Sequence, residues 1–91
     1  MEQKYISLME LYNANCDGNT ISESDIADTS DTEDDDTGHC IEISGVKGNN
    51  MFICDYSPDG FGKAELSIKV MQKGGGYLVD KNIKVEDSIE Y

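Results

Sequence analysis

Residues 63–70, KAELSIKV, alternate without a fault: Ala64, Leu66, Ile68 and Val70 fall on one parity, and Lys63, Glu65, Ser67 and Lys69 on the other. A period of two is the signature of a strand with one face in a core and the other in water. That single stretch demands a half-buried sheet and a cover for its apolar face. The flanking segments supply the sheet. HCIEISGV alternates, KGNN turns the chain and MFICDY returns, which reads as a hairpin. SPDG places Pro58 and Gly60 where a tight turn wants them. The glycines at 74–76 make the next reversal, and YLVD, a turn at Lys81–Asn82 and IKVEDSIEY complete the pattern. Residues 39–91 therefore predict an antiparallel meander of four or five strands.

The cover comes from the N-terminus. Tyr5, Leu8, Met9 and Tyr12 recur at helical spacing, with Leu11 widening the stripe, and NANCDGN supplies stop residues. A helix over 2–13 follows; the competing strand reading of KYISLMEL alternates only imperfectly. The expected fold class is α+β: a helix packed on a small antiparallel sheet, within one domain spanning 1–91.

Residues 14–38 differ in kind. Asp17, Glu23, Asp25, Asp28, Asp31, Glu33, Asp34, Asp35 and Asp36 all lie there, no base accompanies them, and the aliphatic side chains larger than Ala are Ile21 and Ile26. Such a segment has little apolar surface to offset its ordering entropy, and it is expected to be an acidic loop between helix and sheet.

Charge restricts the function classes. The chain has 91 residues and a net charge of −12, and its seven bases are all Lys. Without Arg it lacks the bidentate fork that grips phosphate, and its field repels nucleic acid, so direct DNA or RNA binding is not expected. MEQKYISLMELYNANC does not read as a signal peptide and no run is long and apolar enough to span a bilayer, which predicts a cytoplasmic protein with no membrane partner. Cys16, Cys40 and Cys54 are few and widely spaced, as free thiols would be.

Site motifs are incomplete. NANCDGNTISES begins like a calcium loop with Asn13, Asn15, Asp17 and Gly18, then puts Thr20 and Ser24 where an aliphatic residue and a bidentate Glu belong. DYSPDGFGKAEL offers Asp55, Ser57, Asp59 and Gly60, then fails at Gly62 and Leu66. His39 and Cys40 with Cys16 and Cys54 lack the paired short spacings of structural zinc. There is one His, no serine elbow, and no phosphate loop in GVKG or KGGG. No metal, cofactor or catalytic residue is expected, and the chain does not read as an enzyme.

What remains is the charge itself. Duplex DNA carries one negative charge per ~1.7 Å of axis, and a compact acidic protein can stand in for it in a basic channel. In composition the chain resembles the small acidic phage-encoded inhibitors of restriction and CRISPR nucleases. That resemblance implies a non-catalytic nucleic-acid mimic whose partner is a basic protein surface, a nuclease or other nucleic-acid-binding protein, in the host cytoplasm. The expected contact residues are Asp28, Asp31, Glu33, Asp34, Asp35 and Asp36. Two other classes compete: a divalent-cation module using Asp17 and the 31–36 cluster, and an accessory interaction domain whose acidic stretch is a solubilising linker.

Overall fold

The computed structural model describes residues 3–16, 18–34 and 38–89. Helix α1 (Gln3–Asn15) is followed by a short 3-10 turn (Glu23–Asp25) and five strands: β1 (Ile26–Asp34), β2 (Gly38–Lys47), β3 (Asn50–Pro58), β4 (Lys63–Gln72) and β5 (Tyr77–Glu86). The strands form one antiparallel sheet in the order β1-β2-β3-β4-β5, each pairing with its neighbour in sequence. The α+β class follows from the two periodicities that the sequence carries.

The alternating residues of β4 behave as their parity requires. Ala64, Leu66 and Ile68 are fully buried and Val70 nearly so, packed with Ile41 and Ile43 of β2, with Phe52, Cys54 and Tyr56 of β3, and with Leu8 and Tyr12 of α1. The Tyr12 and Phe52 rings lie 5.8 Å apart between centroids and tilted, a favourable aromatic geometry. The helix runs to Asn15, past the expected stop at 13, because both asparagines are used inside the fold. Asn13 Nδ2 donates to the Ile21 carbonyl (2.9 Å) and Asn13 Oδ1 accepts the Ile21 N–H (2.8 Å), while Asn15 Nδ2 donates to the Leu11 carbonyl. Lys81 Nζ then donates to the Asn15 carbonyl at the helix C-terminus, where a cation is favoured.

Two hairpins follow their turn chemistry. Gly48, at φ 63°, supplies the positive φ needed at the first central position of the two-residue turn between Lys47 and Asn50. The Gly74–Gly76 run, all at positive φ, closes β4 onto β5, with the Gln72 N–H donating to the Gly76 carbonyl.

Two expectations are corrected. Residues 14–38 are not one loop: 26–34 form β1, which pairs in register with β2 from Ile26 opposite Gly45 to Asp34 opposite Gly38. Backbone satisfaction along the open side of β2 outweighs the poor strand propensity of Asp, and Ile26 anchors the strand against the core. Gly45 makes the approach possible, since a Cβ there would collide with the Asp25 carbonyl and come within 3.0 Å of Ala27 N; the register shift between Ile26 and Asp28 sits opposite it. There is also no turn at Lys81–Asn82. β5 runs straight through, because Val79, Ile83 and Val85 share the core-side parity with Lys81, whose amine is tied to the helix end.

Candidate acidic face

The sheet has a helix-covered face and an open one, and register decides what shares the open one. Asp28 stands opposite Ser44, and Ser30 opposite Glu42. Glu42 in turn stands opposite Asp55 of β3, and Asp55 opposite Ser67 of β4. Glu42 and Asp55 therefore stand side by side in the middle of the open face, between Ser30 and Ser67, with Asp28 on the same face one position along β1; Asp31, opposite the core residue Ile41, belongs to the other face. Ser30 Oγ donates to Glu42 Oε1 at 3.3 Å. Half-burial, a hydrogen bond with Glu42 and repulsion from its charge raise the Asp55 carboxyl from 3.8 to about 6, with Lys69 opposing the shift. Two carboxyl groups directly opposite on adjacent strands is an unfavourable pairing, and here a shared proton relieves it at mildly acidic pH.

The expected contact residues divide three ways. Asp28 and Asp31 are exposed on β1. Glu33 and Asp34 continue the same strand opposite His39 and Gly38. Asp35 and Asp36, like Asp17, lie outside the described residues. Acids in the strand half behave differently. Glu86 pairs with Lys63 at 2.7 Å, and Asp87 accepts from Tyr56 Oη at 2.5 Å. Asp59 accepts N–H groups from Phe61 and Lys63 and faces Lys84 at 3.5 Å, so its carboxyl is lowered, chiefly by the Phe61 amide. These three are compensated within the fold, whereas Glu42 and Asp55 are set directly against each other.

Glu42 and its pairing with Asp55 are the features that sequence reasoning missed. The signal was present: a two-residue turn at Gly48–Asn49 pairs Lys47 with Asn50, and counting back five positions on each strand brings Glu42 opposite Asp55.

The other constellations come apart. Asp55 and Ser57 lie within β3 while Asp59 is spent on its own loop, and the Asn13 side chain is spent on Ile21. Cys54 is buried on the core side, where burial pushes its thiol well up, and Cys40 sits half-buried on the opposite face of the sheet. Among the described residues no three His, Cys, Asp or Glu side chains converge as metal ligands. A depression of about 470 Å³ lies between the 18–21 segment and the β2–β3 hairpin. Its titratable side chains are Lys47, which donates to the Thr20 carbonyl at 2.7 Å, and Tyr12, which donates to the Asn19 carbonyl at 3.0 Å. Both are committed to holding the loop. No described helix is long and apolar enough to cross a membrane.

No protein-family model matches the chain, and neither a curated protein nor a solved structure is detectably similar to it.

Proposed function

We propose that this protein is a small, non-catalytic inhibitor that binds a basic groove of a nucleic-acid-handling protein in place of DNA or RNA. A phage-type anti-CRISPR or anti-restriction role in the host-cell cytoplasm is the setting that suits it. The observation that carries the reading is the acidic surface of the sheet: Asp28 and Asp31 exposed on a paired strand, with Asp28 on the same open face as the opposed Glu42 and Asp55 and Asp31 on the other face of β1. A paired strand rises ~3.4 Å per residue and alternates its faces, so Asp28 and Asp31 hold fixed positions on the two faces of β1 that a linker would not give them. Solubility alone calls for dispersed charge of both signs; it does not call for two carboxyls opposed closely enough to raise one of them. A partner's Lys and Arg side chains would relieve that repulsion on binding. The strand pairing of 26–34 also weighs against the stretch being only a solubilising linker.

The experiment is competition. The immobilised protein captures its partner from a bacterial lysate, and the purified pair is titrated with duplex DNA and with RNA. Displacement by either, with affinity that falls steeply with salt, supports the reading. A partner that binds nucleic acid and this protein simultaneously contradicts it.

A further inference from the structure

The linear strand order leaves two edges, and they differ in charge. β1 carries Asp28, Asp31, Glu33 and Asp34 and no base, so two copies of that edge would oppose acids alone. Acidic side chains of this kind guard an edge against pairing. β5 carries Asp80 and Glu86 against Lys81 and Lys84, a balanced set on a chain whose net charge is −12. It contains no Pro and no Gly. Lys81, which on an edge could act as a guard, is turned back and bound to the Asn15 carbonyl at 2.5 Å.

The core also thins toward β5. Leu66 and Ile68 of β4 are fully buried, but their β5 neighbours Val79, Ile83 and Val85 are only half-buried, and Tyr77 and Leu78 are about half exposed at 55% and 48%. Among the described residues, apolar surface therefore continues toward this edge.

We infer that β5 is a self-association edge: a second copy of this chain pairs with it antiparallel about a two-fold axis normal to the sheet at Asn82, extending the sheet to ten strands. The register follows from symmetry. An axis normal to the sheet keeps both helices on one side, so opposed residues share a face and the axis passes through a residue. At Lys81 it would set Lys81 against itself, and at Ile83 it would set Asp80 against Glu86. At Asn82 it sets Asp80 against Lys84 of the partner twice over and Val79 against Val85 twice over, with no like charges opposed. Residues 79–85 then form the new ladder, clear of the irregularity where Met71 pairs with Tyr77, and a seven-residue pairing is an ordinary strand length. The half-buried valines close over each other across the seam.

The test is sedimentation equilibrium of the full chain at ~0.15 M salt from low micromolar to near-millimolar protein. The mass should rise toward that of a dimer, and more readily as salt is added, since screening reduces repulsion between two acidic copies. Lys84→Asp and Asp80→Lys should each weaken association about tenfold to a hundredfold, because two attractive pairs become two repulsive ones, and the double swap should restore it. Asn82→Lys, which opposes two lysines on the axis without touching the Lys84–Asp59 pair, should abolish it; melting curves verify that each variant is folded. A monomer at every concentration overturns the inference. So does a dimer indifferent to the single reversals, or one that the double swap does not rescue.

Discussion

Asp55→Asn should stabilise the protein, and only above the pH at which Asp55 ionises. Burial and the facing Glu42 raise the Asp55 carboxyl from 3.8 to about 6 in the fold. Between those values the folded chain holds a proton that the unfolded chain has lost, so stability falls as pH rises through the window. If the whole displacement were felt, ionised Asp55 would cost about 3 kcal/mol at neutral pH. Water reaches this half-buried side chain and screens it, which leaves about 1 kcal/mol. The amide has nearly the same shape, carries no charge and can donate to Glu42, so the variant should gain about 1 kcal/mol above pH 6. That gain should shrink to near zero by pH 4, where both chains carry a neutral group. Urea denaturation of both proteins from pH 4 to 8 reads the difference, about 0.5–1 M in midpoint at the high end. Taking the difference cancels the general relief of self-repulsion as the other acids protonate. A gain that does not vary with pH, or a loss at neutral pH, would refute the opposition of Glu42 and Asp55 as the cause.

Other outcomes follow from the packing. Leu66→Ala should cost about 2–5 kcal/mol by calorimetry or urea denaturation, and Leu66→Asp more, because the side chain is fully enclosed between β3, β5 and the helix; a loss under about 1 kcal/mol for Leu66→Asp would show the face assignment to be wrong. Gly45→Ala should cost at least about 2 kcal/mol, since its Cβ would meet the Asp25 carbonyl and Phe52 Cζ at 2.9 Å, and amide exchange should show β1 loosening first. EDTA should leave the melting temperature unchanged, because the oxygen groups of both loop motifs are dispersed or bonded within the fold; a fall of many degrees would instead reveal a bound cation.

Legibility in the sequence tracked burial. KAELSIKV could be placed because each apolar residue in it meets the core and each polar one meets water, which is the condition that makes parity visible. The helix was legible through Leu8 and Tyr12 for the same reason. β1 was not, because IADTSDTED has no apolar side chain larger than Ala beyond Ile26; its place is dictated by the unsatisfied side of β2, a tertiary cause that leaves no apolar pattern. The supposed turn at Lys81–Asn82 failed because a lysine at a core-side position looks like a break until its amine is seen to cap the helix. Acid placement was half legible: the composition shows that 28–36 is acidic, but which of those acids shares a face with Glu42 and Asp55, Asp28 and not Asp31, depends on strand register.

The measurement closest to the central claim is partner affinity across a salt series for the wild type and for a variant with Asp28→Asn, Asp31→Asn, Glu33→Gln and Asp34→Asn together. The fold should persist, since these changes remove like charges from an edge strand, and a matched melting curve verifies it. Affinity at low salt should fall at least about tenfold, chiefly through a slower association rate. The gap should narrow as salt rises, because screening at ~0.15 M already confines each charge to ~8 Å. Equal affinities at low salt would contradict the account: β1 would then be an acidic edge that only prevents strand pairing, and the nucleic-acid-mimic reading would fall with it.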